Sequence, residues 1–517
     1  MTTELDTTRR LRAWHEGRPQ PRGEALNVHV GDDDDILCLS FVRMGGESLP
    51  WGVIVGGATA SEGKNRKPSS KSGSTPRVFT VPDPRNRDLV ADMMIAVGRE
   101  VLAHFGHPQY CPDQEESLSV YRFRQLWMPN PSHLEMLHSL AFAYARTRWE
   151  RTDVEVLRDF GLLANCLFVE SQRPGQQTVV VASSALSSVF SFPTSPVREA
   201  HLGHQLAWFG RERTRATRLD AARAAEKFPV ATALDPDFER KCLAPLVDKW
   251  NDAPRPDRVR LGKSHASAIT KILSAELERR HDLVVDAIGL LRRDTRRPNA
   301  GLRDLVRIGR ESFSKIWWDN VLKSMADDPD APAYWPGLWG DVTAGSAAFA
   351  YHSRSAAAAE ARQILVHGDR ALQEEELLAG HGLRITVTGI AGRGSSWNAS
   401  FDFPEIPSLK SGGSLSIAGA ATHSSKSSLK IADFDLDART IVLQPKWSAA
   451  RSALGALGMS SDDQRWVGKV LVLVDDFPPD LTARLAGRAA KRSAHDFDPL
   501  ALFKRERDPE PQEPADT

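Results

Sequence analysis

SLKIADFDLDARTIVLQPKW, residues 428–447, decides how the C-terminal part of this chain folds. Leu429 and Ile431 alternate with polar neighbours, and Ile441 and Leu443 do so again after the polar run Leu436-Asp437-Ala438-Arg439. A period of two on both sides of four turn-forming residues predicts a β-hairpin. Outward from it the pattern repeats at 383–390, 396–403, 413–420 and 469–477, with Gly, Ser and Pro between. Helices are expected at 448–457 and 481–491. The reading is a small β-rich (α/β) unit over 383–495, followed by a polar, acidic tail over 496–517 that is expected to be disordered.

Upstream the period changes to that of helices. Residues 130–380 carry long amphipathic segments at about 198–227, 234–251, 262–294, 301–325 and 343–379, broken by Pro229, Pro254, Pro256, Pro298, Pro329 and Pro332. One short strand interrupts them near Val180. Residues 25–129 mix short strands (25–30, 36–44, 50–57, 77–81 and 117–128) with a helix at about 86–104. Their polar, basic loop, 62–76, is expected to be mobile. Residues 1–24 form an N-terminal arm. The fold class is therefore multidomain α+β, with an N-terminal α+β unit, a large mainly helical middle and a C-terminal β-rich unit.

A length of 517 residues suggests roughly three domains at about 150 residues each. Lys plus Arg equals Asp plus Glu at 67 each, so no net charge draws the whole chain to a polyanion and any electrostatic binding must be local. Four separated cysteines, Cys38, Cys111, Cys166 and Cys242, contain no metal-knuckle or dithiol spacing and fit a reducing cytosol. No apolar leader opens the sequence and no run of eighteen apolar residues occurs, so a cytoplasmic protein without a membrane partner is expected.

Most catalytic spacings fail on geometry. Gly57 and Gly63 are separated by five residues rather than four, Asn65 follows Lys64, and no helix opens there, so no phosphate loop forms. Asp32 to Asp35 stand side by side, and in an extended chain neighbouring carboxylates point to opposite faces. His133 and His138 are five apart, which turns their side chains away from one another on a helix. His201 and His204, three apart, have the spacing to share a metal but lack an evident third ligand. Arg99 with His104, Arg362 with His367 and Arg10 with His15 match a nuclease spacing that an Arg-rich chain meets by chance. No cofactor is required by any of these.

The hairpin itself resembles the core of restriction-endonuclease-like nucleases, in which an Asp on one strand and a Gln/Glu-x-Lys on the next converge on magnesium. The resemblance assigns Asp433 or Asp435 to the metal, with Gln444 and Lys446 on the second strand, and implies Mg²⁺ and hydrolysis of DNA or RNA. Pro445 interrupts that second motif and removes a ladder donor.

Local charge points elsewhere. Between residues 198 and 315 there are 25 Lys plus Arg against 17 Asp plus Glu. Arg211, Arg215 and Arg218 fall at helical spacing, and so do Arg303, Arg307 and Arg310. Each trio spans about 10 Å of one helical face. Arg292, Arg293, Arg296 and Arg297 crowd the joint before the second trio. Such stripes suit consecutive phosphates. The downstream aromatics Trp317, Trp318, Tyr334, Trp335 and Trp339 suit base stacking. The expectation is a non-catalytic binding or scaffold protein on nucleic acid, DNA or RNA, or in a complex that handles it. The alternatives are the divergent nuclease and an adaptor whose Arg faces meet an acidic protein partner.

Overall fold

The structure is a computed structural model that describes residues 3–58, 75–107, 109–110, 123–211, 214–252, 255–314, 317, 344–392, 396–403, 407, 409–419, 428–445 and 463–475. Loop residues 62–74, Lys446, the helices expected at 448–457 and 481–491, and the tail all lie outside the described residues.

Helix α1 (Thr3–Glu16) leads into a two-residue strand β1 (Gln20–Pro21), which pairs with β7 (Phe190–Ser191). Five strands form the main sheet: β2 (Ile36–Val42), β3 (Gly52–Gly56), β4 (Arg77–Thr80), β5 (Gln125–Met128) and β6 (Val179–Val181), in the order β4-β3-β2-β5-β6. The first three make an antiparallel meander, whereas β2, β5 and β6 run parallel. Every residue of β2, β3 and β5 is buried. Continuous apolar runs of this kind mark strands covered on both faces.

One face carries α2 (Arg87–His104), α3 (Pro131–Tyr144) and α4 (Val154–Ser171). Asn86 caps α2 and Asn130 caps α3, each accepting N–H groups of the first turn. Leu37, Leu39 and Phe41 pack there with Met94, Val97, Leu157 and Phe160. The opposite face is covered by α5 (Ala182–Val189), α6 (Leu202–Ala207), which leads on to α7 (Arg215–Ala225), and the long α9 (Arg255–Arg292), which follows α8 (Ala244–Asp252). Ile36, Cys38 and Trp127 pack on that side against Val284, Ala287, Ile288 and Leu291. The sheet thus draws β6 and its α9 cover from beyond residue 130, so the helical middle and the N-terminal strands share one core.

Helices α10 (Leu302–Ser314), α11 (Ala344–Gly368) and α12 (Arg370–Leu378) lead to the C-terminal unit. This is a closed antiparallel barrel of β8 (Gly382–Ala391), β9 (Ser396–Asp402), β10 (Ser414–Ile417), β11 (Ser428–Asp435), β12 (Thr440–Pro445) and β13 (Val470–Asp475), ordered β10-β11-β12-β9-β8-β13. Alternate residues fill it: Leu383, Ile385, Val387, Trp397, Leu429, Ile431, Ile441, Leu443 and Leu473 among them. Among the described strands closure leaves no free edge for another strand. Segment 25–30, expected as a strand, makes only an isolated bridge from Leu26 to Pro298.

Candidate functional site

The structure divides the ten arginines of the helical middle into two groups. Five are engaged by internal contacts. Arg215 lies 5.0 Å over the Trp14 ring, and Arg218 donates to the Gly17 carbonyl at 3.0 Å, so the N-terminal stripe holds α1 in place. Arg292 pairs with Asp33 and donates to the Gly31 carbonyl at 2.7 Å. Arg296 pairs with Asp294 at 2.6 Å and lies 4.9 Å over Phe190. Arg307 stands between Glu311 at 3.2 Å and Asp304 at 3.6 Å. Of the rest, Arg293 is exposed and within electrostatic reach of Asp286. Arg211, Arg297, Arg303 and Arg310 are exposed and carry no ion pair among the described residues. Trp317 is fully buried, a core residue rather than a stacking platform, and the other aromatics of that cluster lie outside the described residues.

On α10, Leu302, Leu305, Gly309 and Phe313 are buried. At about 100° per residue, Arg303, Arg307 and Arg310 fall within roughly 60° of one another on the exposed side. Asp304 and Glu311 run beside them and neutralise the middle one. Two guanidinium groups about 10 Å apart remain available, with Arg297 in the joint just before the helix.

The described members of the hairpin quartet are spread over the barrel's outer wall. Asp433, Asp435 and Gln444 are all exposed. Asp435 pairs with Thr440 beside the turn, while Gln444 pairs with Lys430 toward the far end. The four-residue offset from Thr440 to Gln444 corresponds to about 13 Å along β12. The Asp435 carboxylate accepts the N–H groups of Asp437 and Ala438, each at 2.9 Å, and so shapes its own turn. Asp433 follows a β-bulge and accepts the Phe434 N–H. Pro445 takes the last, buried position of β12.

The histidines are built into the frame. His133 Nδ1 accepts the Phe41 N–H at 3.0 Å, and its Nε2 lies 2.9 Å from the Val230 carbonyl, which fixes the proton on Nε2. Burial, and then the nearby Arg280, push it down to about 3. His138 stacks on Phe168 at 3.6 Å. His201 caps α6 through Nδ1 and faces the Phe228 carbonyl through Nε2. His204 accepts the Trp208 indole N–H on Nε2 and meets Glu226 at 2.9 Å through Nδ1. Both rings of that pair spend their nitrogens on protein partners. Among the described residues no three His, Cys, Asp or Glu groups gather as a metal site.

Sequence reasoning missed the carboxyl ends of the parallel strands, where open α/β sheets ordinarily hold ligands. Here residues 229–234 close over them as a strap. Arg43 N donates to Thr232 O at 2.8 Å, Thr232 N donates to Ser132 Oγ at 2.9 Å, and Arg279 Nη2 donates to Pro229 O at 2.6 Å. Beneath the strap Arg280 is fully buried and donates from Nη1 to the Phe41 carbonyl. The signal was present: Leu273, Leu277, Val284, Ala287 and Leu291 make an apolar stripe, and Arg280 occupies one of its positions.

A second cluster joins α4 to the end of α2. Tyr110 donates to Asp159 Oδ2 at 2.9 Å, and His107 Nε2 lies 3.6 Å from the same oxygen. Burial raises Asp159 to about 6 and lowers His107 to about 4. No protein-family model, curated protein or solved structure matches this chain. No helix among the described residues is long and apolar enough to cross a membrane.

Proposed function

We propose that the protein is a non-catalytic binding or scaffold protein that acts on nucleic acid or within a complex that handles it. The observation that carries this reading is the exposure of Arg303 and Arg310 on α10 and of Arg297 in the joint before it, with no ion pair among the described residues. Charged groups left open to water can exchange condensed counterions for phosphates. The strap over the carboxyl ends of β2 and β5 supports a surface role, because the chain itself closes over the sheet's usual ligand crevice.

The test is binding of single- and double-stranded DNA and RNA across a salt series. Affinity is expected to fall steeply with salt. Replacing Arg297, Arg303 and Arg310 together by Gln is expected to reduce the logarithmic salt slope by about 2 to 3. Absence of binding at low salt, or a slope unchanged by the triple substitution, overturns the reading. Capture of an acidic protein through the same three residues would redirect it to a protein adaptor.

A further inference from the structure

Arg280 carries more positive charge into the core than the surrounding protein neutralises. Its side chain is fully buried, and one of its nitrogens, Nη1, is used by the Phe41 carbonyl at 2.7 Å. The other edge of the guanidinium, Nε and Nη2, has no hydrogen-bond partner among the described residues. The nearest carboxylate is Glu276, 3.5 Å from Nη2, beyond a well-formed hydrogen bond. Glu276 is already held by Arg279, which donates to both of its oxygens, one from Nη2 and one from Nε. Two guanidinium groups thus share one carboxylate, and His133, also at this end of β2, is neutral near pH 7.

Burial lowers Arg280 only to about 10, so it keeps its charge at neutral pH. A buried charge that shares its carboxylate with a second guanidinium is only partly compensated, and water can satisfy its hydrogen bonds but not its charge. The Nε/Nη2 edge has the side-on fork geometry that matches two oxygens of a carboxylate or phosphate. Strand β2 holds a second orphan. Ser40 stands on the same face of β2 as Ile36 and Cys38, the face that α9 covers. Its hydroxyl is buried without a hydrogen-bond partner among the described residues, one residue from the carbonyl that Arg280 grips.

We infer that the Nε/Nη2 edge of Arg280 and the Ser40 hydroxyl hold a small oxyanion, sealed beneath the strap of residues 229–234. This site is separate from the exposed arginines of α10 and does not depend on them. The anion is resident rather than a substrate in passage, because the strap is tied at Arg43, Ser132, His133 and Arg279.

Two measurements on the intact chain test this. Protein exchanged into chloride buffer and then denatured is assayed for released phosphate, sulfate and carboxylate by ion chromatography. About one equivalent of one of them is expected. In parallel, the thermal midpoint is followed against inorganic phosphate, sulfate and formate at fixed ionic strength, after unfolding and refolding in chloride. A saturable rise is expected in wild type and in Arg303→Gln. In Ser40→Ala the half-saturating concentration should increase about tenfold, the loss of one hydrogen bond to an anion. Arg280→Gln should abolish the response; if that variant does not fold, Ser40→Ala and the released anion decide. The inference is overturned if wild type releases no oxyanion and its midpoint does not respond, or if Ser40→Ala responds as wild type does.

Discussion

The carboxylate of Asp369 accepts the backbone N–H of Ala25 at 3.2 Å, across 344 residues of sequence. It also accepts the Glu24 N–H, the Asn27 side-chain amide and, as cap of α12, the Ala371 N–H. Four donors therefore meet one buried side chain, and a Cβ on Gly23 would sit 2.1 Å from its Oδ2. Asn299 continues the junction by donating to Asn27 Oδ1 at 2.8 Å and to Leu365 O at 2.8 Å. Asp369→Ala is expected to destabilise the chain by roughly 3–5 kcal/mol, because it strands several buried donors. Asp369→Asn, which keeps one acceptor, should cost less. Urea denaturation midpoints check the order, and equal stability of the three proteins would refute the junction's importance.

His133 gives the fold a defined acid sensitivity. Its ring is buried and neutral, with its folded value lowered to about 3 against 6.5 for an ordinary histidine. The unfolded chain then binds the proton first, so stability is complete above about pH 6.5 and is lost progressively as pH falls toward 3. His107 acts with the same sign down to about 4. The denaturation midpoint should fall between pH 7 and pH 5, and His133→Gln, less stable at pH 7, should show a shallower fall.

Asp159 works against that trend. Burial raises it to about 6 from 3.8, so ionising it costs stability in the folded state. The penalty is full above about pH 6 and disappears as pH falls toward 3.8. Asp159→Asn keeps an acceptor for Tyr110 and removes the charge. It should be more stable than wild type at pH 8 by about 1–3 kcal/mol, with the gain gone near pH 4. Parallel denaturation series at those two pH values decide it, and a variant less stable than wild type at pH 8 would show that the carboxylate is needed as an anion.

What the sequence disclosed, and what it hid, follows from the range of each interaction. All six barrel strands are legible because each is a short alternating or apolar run bounded by polar turns, from Leu383, Ile385 and Val387 to Leu471 and Leu473. Helix α4 is not, because Val156, Leu157, Phe160, Leu162, Leu163, Ala164 and Leu167 bury it nearly all round and leave no helical period. The pairing of Trp127 with Val180 joins strands on either side of two helices, which no local pattern announces. The arginine stripes were visible as spacing. Their partners were not: Arg292 finds Asp33 across 259 residues, and Arg218 finds Gly17 across 201.

Arg307 supplies the sharpest test of the proposed polyanion surface. It sits between Arg303 and Arg310 on α10, yet Asp304 and Glu311 hold it in ion pairs. These pairs are 24% to 59% exposed at their side chains, so breaking them should change stability by no more than about 1 kcal/mol. The double variant Asp304→Asn, Glu311→Gln removes these two ion pairs of Arg307 and two negative charges from the stripe. If phosphates dock here, affinity should rise at low salt and the logarithmic salt slope should steepen by about 1 on double-stranded DNA. The same double variant carrying Arg303→Gln and Arg310→Gln should lose that gain. An affinity that rises equally with and without Arg303 and Arg310 would reflect net charge alone, and an unchanged affinity would take α10 out of the interface.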